Sequence, residues 1–202
     1  MIRAEFAARL KNACAAVTAA EAELTEIDSK FGDADHGLTM AKIAGAISEA
    51  VDAAEGGIQS MLDDAAMAVM TLNGGSAVPL WNTWLDGLQE EAPEGEEIDV
   101  AGLKAIFAKA LEELEDMSGA KVGDKTMMDA LIPASEAVAA YKGDSADELF
   151  DAAAQAAAQG AETTKQYVSK FGRAKSYGTK TIGTPDAGAV SMSWFFQGLA
   201  RE

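Results

Sequence analysis

Alanine supplies about a fifth of this 202-residue chain, whereas aromatic residues supply 6%. Alanine has the highest helix propensity, and strands favour β-branched and aromatic side chains. Apolar residues also recur at steps of three and four, as in the series Met40, Ile43, Ile47 and Val51. That spacing places them on one face of a helix. The sequence therefore predicts an all-α fold.

Glycine, proline, aspartate and asparagine divide the chain into eight predicted helices. The sequence shows no internal repeat and no linker, so we expect a single domain over residues 1–202. The longest predicted non-helical span, residues 170–186, has the length of a functional or mobile loop. The helices are predicted over residues 2–29, 37–54, 57–71, 77–91, 99–117, 126–141, 145–169 and 187–200.

Charge and cysteine content limit the classes of partner. The chain carries 16 basic and 33 acidic residues, a net charge of −17, which argues against binding to nucleic acid or to an anionic membrane surface. No apolar run is long enough to span a bilayer. Cys14 is the only cysteine, and the charged opening residues do not resemble a signal peptide. A cytoplasmic location is therefore expected.

Three aspartates, Asp28, Asp33 and Asp35, lie within eight residues where the first predicted helix ends and the second begins. Two unit charges 4 Å apart repel by about 4 kcal/mol at a dielectric near 20, so converging carboxylates need a cation between them. Oxygen ligands favour Mg²⁺ or Ca²⁺. An EF-hand is excluded because its bidentate acid would fall on Thr39 or Ala44. Mg²⁺ commonly shares phosphate oxygens, so the pattern indicates a metal–phosphate site; the alternative is aspartates that cap helices and form turns.

Glycine-containing turns precede several predicted helices, at residues 37–39, 73–76, 119–126 and 185–188. The free N–H groups at a helix start suit phosphate. Neither a P-loop nor a GxGxxG pattern occurs, so each turn alone is a weak signal. His36 is the only histidine, which excludes a multi-histidine zinc site and leaves a capping or a ligand-binding role.

Four segments, in order along nearly the whole chain, resemble the nucleotide-binding subunit of dihydroxyacetone kinases. They are residues 27–37, 74–80, 123–131 and 172–189, with the runs Gly-Asp-Ala-Asp-His-Gly, Gly-Asp-Lys-Thr-Met-Met-Asp-Ala-Leu and Gly-Thr-Pro-Asp-Ala-Gly-Ala among them. The resemblance implies an antiparallel eight-helix barrel with ADP or ATP at one end.

The resemblance also implies roles for individual residues. Asp28, Asp33 and Asp35 would hold two Mg²⁺ ions that bridge the nucleotide phosphates. Met128 would contact the adenine, and Arg173 would contact phosphate as the catalytic residue. The other implied nucleotide contacts are His36, Gly37, Leu38, Thr39, Ser76, Ala77, Val78, Gly119, Asp186, Ala187 and Gly188.

The implied activity is phosphoryl transfer to dihydroxyacetone or a similar short ketose, as one subunit of a complex. In this family a partner subunit holds the substrate covalently through its own histidine, and we expect that subunit to be a separate chain. In the phosphotransferase version a phosphoryl-carrier subunit regenerates the bound nucleotide. The sequence leaves open whether ATP or such a carrier is the donor. The oligomeric state also stays open, with a homodimer as one alternative.

The sequence departs from the family pattern where a Ser-Gly pair wraps phosphate. Ala77 and Val78 occupy those positions, and Ser76 is displaced by one residue. The loss of a hydroxyl and the bulk of valine predict weaker nucleotide binding unless Ser76 substitutes. A non-catalytic regulatory module with the same fold is therefore the alternative function. The fatty-acid kinase family is a third, disfavoured because its chains carry long additional domains. Further departures, at Lys175 and Ala187, are consistent with a four-carbon sugar or polyol as substrate.

Overall fold

The computed structural model describes residues 1–201, which form nine α-helices and two 3-10 segments with no strand among them. This confirms the all-α prediction. The 3-10 segments are Thr164–Gln166 and Arg173–Thr181. The helices are α1 (Arg3–Ala19), α2 (Glu21–Ser29), α3 (His36–Ala53), α4 (Ile58–Met70), α5 (Ala77–Glu90), α6 (Val100–Ser118), α7 (Met128–Ala140), α8 (Ala146–Thr163) and α9 (Ala187–Leu199).

Eight of the helices close into a ring. Each of α3 to α8 packs against the next helix along the chain, α9 packs against α1, and α1 packs against α3. The remaining helix, α2, lies against α3 and α9. The predicted eight-helix barrel is therefore confirmed, with α1 and α2 together corresponding to its first helix.

The first predicted helix, over residues 2–29, is broken at Ala20. The backbone of Ala20 leaves helical geometry (φ −87°, ψ 2°), and its N–H is shared between the carbonyls of Ala16 and Val17. Just before the break, the Thr18 hydroxyl donates to the Cys14 carbonyl at 2.9 Å. Hydroxyl groups that bond to the preceding turn bend helices. The sequence does not mark this break because alanine is otherwise the best helix former.

An aromatic cluster occupies the interior of the ring. Trp81 and Trp84 of α5 meet Phe195 of α9 edge to face, with ring centroids 5.1 and 5.4 Å away, and Phe107 and Phe196 complete the cluster. All five side chains are fully buried. Edge-to-face pairs add roughly 0.5–1.5 kcal/mol each to the burial of apolar area, so this cluster fixes how α5, α6 and α9 pack together.

The ring closes between α1 and α9 through a close backbone approach and a buried arginine. A Cβ added at Gly198 would lie 2.3 Å from the Ala13 Cα, so only glycine fits there. Arg9, which is 7% exposed, donates to the Leu199 carbonyl at 2.9 Å and forms an ion pair with Asp147 at the start of α8. These contacts tie the two ends of the chain to one another.

Two predicted boundaries near the C-terminus were wrong. α8 ends at Thr163 rather than residue 169, and the predicted non-helical span of residues 170–186 contains 3-10 turns over Arg173–Thr181. Gly178 interrupts these turns with left-handed backbone (φ 56°). The content of glycine, lysine, serine and threonine predicted a loop here because it lacks the apolar periodicity of a longer helix. Within residues 1–201, every helix is too short or too polar to cross a membrane.

Candidate functional site

Four alternate helices begin at the same end of the barrel. The first residues of α3, α5, α7 and α9 are His36, Ala77, Met128 and Ala187, and all four line one cavity of about 510 Å³. The first turn of a helix has free N–H groups and the positive end of the helix dipole. Four such ends around one cavity create a site suited to an anion such as phosphate.

The acidic turn, residues 28–35, forms one side of the cavity mouth. One carboxylate oxygen from each of Asp28, Asp33 and Asp35 lies within 4.8 Å of the others. The Asp28 carboxylate also accepts the backbone N–H groups of Asp35 (3.2 Å) and His36 (3.4 Å). Ala34 has left-handed backbone (φ 61°), a sparsely populated conformation for a residue with a Cβ. The turn therefore holds three carboxylates together despite their repulsion.

The electrostatics of the acidic turn favour a cation. Partial burial raises the pKa of Asp35, and the neighbouring charge of Asp33 raises it further. Arg173 supplies one positive group, with its Nη2 2.6 Å from an Asp33 oxygen. Asp28 is half-buried and the other two aspartates are exposed, which leaves their remaining lone pairs accessible. Three accessible, converging carboxylates fit a hard divalent ion that keeps water or phosphate among its ligands.

His36 joins the first turn of α3 to α9. Its Nε2 lies 3.1 Å from the Ser191 hydroxyl, which itself donates to the Gly188 carbonyl at 2.9 Å. Burial lowers the pKa of His36, against the opposing charge of Asp28. His36 therefore acts as a neutral brace between two of the helix ends around the cavity.

Another wall of the cavity contains a lysine that was not among the predicted site residues. Lys125 lines the cavity but is only 4% exposed. Asp129, in the first turn of α7, is 1% exposed and accepts the N–H groups of Gly123 (2.6 Å) and Thr126 (2.7 Å). A charged residue in a glycine-rich turn is expected from the sequence to be exposed to solvent. The burial of Lys125 is therefore evident only in the structure.

The 3-10 segment 173–181 covers part of the cavity mouth. Besides the ion pair from Arg173 to Asp33, Tyr177 contacts Phe31 edge to face with ring centroids 5.2 Å apart. Phe171 and Gly172, which precede the segment, also line the cavity. Phe31, Tyr177 and Phe171 were not among the predicted site residues, because isolated aromatic residues give no functional signal in a sequence.

The structure brings most of the predicted site residues to the cavity. Four of them lie outside its lining: Gly37, Leu38, Val78 and Gly119. The residues that line it are Asp28, Asp33, Asp35, His36, Thr39, Ser76, Ala77, Met128, Arg173, Asp186, Ala187 and Gly188.

Each of the four residues outside the lining has another structural place. A Cβ at Gly37 would lie 2.2 Å from the Glu21 carbonyl oxygen, so this glycine permits the close packing of α3 on α2. Leu38 is half exposed. Gly119 ends α6 in left-handed backbone (φ 63°). Val78 is 7% exposed and packs in the hydrophobic core, so its side chain does not occupy the cavity that Ser76 and Ala77 line.

A family model, the DAK2 domain, matches residues 30–201. The chain belongs to the DAK2 family. Among its relatives, this DAK2 domain is 35% identical to the L-erythrulose kinase of Pectobacterium atrosepticum and 36% identical to the D-erythrulose kinase of Mycolicibacterium smegmatis. Those matches cover 96% and 94% of the chain but 34% of each relative, so the chain spans about one third of the length of these kinases.

Other relatives match it in length or in structure. The ADP-binding subunit DhaL of the PEP-dependent dihydroxyacetone kinase of Escherichia coli is 29% identical, over 93% of this chain and 91% of that subunit. The crystal structure of the dihydroxyacetone kinase from C. freundii in complex with AMP-PNP and Mg²⁺ superposes with a TM-score of 0.74 at 25% identity. That superposition covers 98% of this DAK2 domain and 33% of the C. freundii chain.

Proposed function

We propose that this DAK2 domain holds a magnesium-bound nucleotide, ADP or ATP, as the nucleotide-binding subunit of a kinase for short ketoses. The observation that carries the proposal is the cavity itself, where four helix N-termini face three converging carboxylates. The helix ends suit the phosphates and the carboxylates suit the cation that accompanies them. Membership of a family whose named relatives are kinases supports the same conclusion.

The metal would be held by Asp28, Asp33 and Asp35, with two ions as the expected number. Bound there, Mg²⁺ would neutralise charge on the phosphates. The N–H groups of Asp35 and His36 orient the Asp28 carboxylate. The protein would thus supply three carboxylate ligands for the metal and two backbone hydrogen bonds that orient one of them, Asp28.

The nucleotide would lie along the cavity, with its phosphates near the acidic turn and its base toward Met128. Met128 is 1% exposed and lines the cavity at the start of α7, which suits an apolar contact with adenine. Arg173, 72% exposed at its side chain, is free to turn its guanidinium from Asp33 to the transferring phosphate. There it would stabilise the charge that develops during transfer.

The proposed acceptor is dihydroxyacetone or erythrulose, the ketoses named in the relatives' activities. A partner subunit would hold the acceptor, and a phosphoryl-carrier subunit would be needed where the donor is phosphoenolpyruvate. Both partners must reach the mouth of the cavity, because in-line transfer requires the attacking oxygen to contact the terminal phosphate.

Isothermal titration with ADP, in the presence and absence of Mg²⁺, tests the proposal. We expect binding that depends on Mg²⁺ and is weakened at least about tenfold in Asp33→Asn, since one metal ligand loses its charge. The Asp116→Asn variant removes an exposed carboxylate on α6, outside the cavity lining, and serves as the matched control. Failure of the wild-type protein to bind ADP, or equal binding by Asp33→Asn, would contradict the proposal.

A non-catalytic regulatory module with the same fold is the second candidate, favoured by Ala77 and Val78 in place of the family's Ser-Gly pair. The structure supports the catalytic alternative in one respect, since Val78 packs in the core while Ser76 lines the cavity. Phosphoryl transfer in a mixture with a substrate-binding subunit distinguishes the two. Transfer eliminates the regulatory candidate, and intact Mg²⁺–ADP binding without transfer favours it.

A further inference from the structure

Lys125 occupies an unusual position for a lysine. Its side chain is buried in the cavity wall at 4% exposure, and its backbone is left-handed (φ 62°). Left-handed backbone is unfavourable for a non-glycine residue, and such residues persist where the surroundings over-determine them. Burial of an ammonium group is also unfavourable unless it is paired or hydrogen-bonded. Two unfavourable features at one residue of the cavity wall call for a compensating set of contacts.

The ammonium group of Lys125 makes those contacts with two distant segments. Nζ donates to the Thr164 carbonyl, at the end of α8, at 2.6 Å and to the Thr184 carbonyl, just before α9, at 2.5 Å. Lys125 itself precedes α7. One side chain therefore ties together the end of α8 and the segments that lead into α7 and α9.

Further buried bonds extend this connection on both sides. Asp129 accepts the N–H groups of Gly123 and Thr126 and so holds the turn that carries Lys125. The Thr164 hydroxyl accepts the N–H of Asp186 at 2.9 Å. The path thus runs from the lysine to the first turn of α9, whose residues line the cavity.

The charges around Lys125 are consistent with this role. Burial lowers the pKa of Lys125, and the charges of Asp186 and Asp129 oppose that change. Each polar group named on this path has a defined partner. A wall held in one arrangement presents the helix ends to a ligand without further ordering, which favours binding.

We propose that Lys125 is a positioning residue for the nucleotide: by holding the Thr164 and Thr184 carbonyls together, it fixes the first turn of α9 as a wall of the cavity. The inference rests on the proposed nucleotide-binding function. Lys125 acts through the backbone of residues 184–188 and takes no part in the transfer itself.

The Lys125→Met variant tests this inference, because methionine keeps an unbranched apolar stem and faces the same left-handed backbone cost. We expect its ADP dissociation constant to rise about tenfold at saturating Mg²⁺, measured well below the melting temperature. Lys125→Arg keeps the cation and its donors and should restore most of the affinity. The matched control is Lys104→Met, since Lys104 of α6 also donates to a backbone carbonyl, that of Tyr141, outside the cavity lining. It should bind as the wild type does.

The outcomes separate this inference from the function on which it rests. Absence of ADP binding by the wild-type protein would overturn the proposed function. If the wild-type protein binds ADP and Lys125→Met has the same dissociation constant, the role of Lys125 is overturned and the proposed function stands. An equal loss of ADP affinity in Lys104→Met would also overturn the role of Lys125 alone. Should Lys125→Met fail to fold, Thr164→Val decides, because it removes only the hydroxyl that holds the Asp186 N–H. We expect about fivefold weaker binding in that variant, and unchanged affinity would contradict the inference.

Discussion

The two sides of the cavity are built in opposite ways. The acidic turn carries charges of one sign on partly exposed side chains, and the cation that pairs with them in the protein is Arg173. The wall around Lys125 contains charges of both signs, and the carboxylate of Asp129 and the ammonium group of Lys125 are buried and hydrogen-bonded. The carboxylates of the acidic turn outnumber the cation that pairs with them, whereas the buried charged groups of the wall are hydrogen-bonded within the protein.

This difference predicts where mutations cost stability and where they cost binding. An unpaired buried polar group costs about 1–3 kcal/mol, so changes in the wall should lower the free energy of unfolding by amounts in this range. Exposed ion pairs contribute about 0–1 kcal/mol, so changes in the acidic turn should leave the free energy of unfolding almost unaffected. Four predictions test this contrast, in order of decreasing effect on stability.

The largest effect is expected for Asp129→Ala. The variant leaves the N–H groups of Gly123 and Thr126 without their acceptor and opens a small void, so the free energy of unfolding should fall by about 3 kcal/mol. Denaturant unfolding measures it. Asp116→Ala, an exposed site on α6, is the control and should change stability by less than about 0.5 kcal/mol. Similar losses of unfolding free energy in the two variants would show that the buried hydrogen bonds of Asp129 do not stabilise the wall around Lys125.

A second prediction concerns Gly37, which lies beside the acidic turn but serves packing. A Cβ there would lie 2.2 Å from both the Glu21 carbonyl oxygen and the Thr25 Oγ1, so Gly37→Ala should cost about 2 kcal/mol through displaced helices. Gly45→Ala, on the same helix with no atom within 4 Å of the new Cβ, should instead gain about 0.5–1 kcal/mol. Thermal melts of both variants measure the contrast, and a neutral Gly37→Ala would show that α2 is not packed as described.

A third prediction uses the pH dependence of the wall. The pKa of Asp186 is raised to about 7, mainly by burial and also by the charge of Asp129, against the opposing effects of the Ala189 N–H and Lys125. Between the unfolded value near 4 and the folded value, the folded state binds more protons. The contribution of Asp186 to stability is therefore present at low pH and lost as pH rises to about 7.

Asp186→Asn removes that titration while keeping a side chain that can cap α9. The free energy of unfolding of this variant, relative to that of the wild type, should increase by about 1 kcal/mol from pH 4 to pH 8. This value is smaller than the full pKa shift would give, because Asp186 is half-buried and solvent screens its charge. Denaturant unfolding across this range measures the difference, with Asp99→Asn, an N-cap on α6, as the control for cap geometry. Parallel curves for Asp186→Asn and wild type would contradict the raised pKa.

The smallest effect on stability is expected for Arg173→Gln. The ion pair with Asp33 is 2.6 Å long but lies on an exposed side chain, so the free energy of unfolding should change by less than about 0.5 kcal/mol. Phosphoryl transfer should nevertheless fall by about 100-fold or more, as expected when a group that stabilises transition-state charge is removed. A loss of stability larger than 1 kcal/mol would place Arg173 among the structural residues instead.

The helices were predictable because their signals in the sequence are local, whereas the barrel was implied by the family resemblance. Met40, Ile43, Ile47 and Val51 are buried as their spacing required, and glycine or proline marked most boundaries. The break at Ala20 was missed because it depends on a side-chain hydrogen bond from Thr18. Such a bond leaves no trace in propensity or periodicity.

The candidate site was predictable where charge density made it conspicuous. Three aspartates in one short turn indicate a candidate metal site from the sequence alone, and in the structure their carboxylates lie close together. Lys125 could not be identified, because its significance lies in burial and in two carbonyls about 40 and 60 residues away along the chain. Gly37 and Val78 were predicted as site residues, and their neighbours in the sequence line the cavity. In the structure, however, Gly37 packs against α2 and Val78 packs in the hydrophobic core.

Anomalous diffraction from a crystal grown with Mn²⁺ and ADP tests metal and nucleotide binding at the acidic turn, because Mn²⁺ takes the oxygen ligands of Mg²⁺ and gives a distinct signal. We expect anomalous peaks within coordination distance of the Asp28, Asp33 and Asp35 carboxylates, with the diphosphate adjacent and the adenine toward Met128. ADP bound elsewhere, or ADP in the cavity with no metal at these three carboxylates, would contradict this expectation.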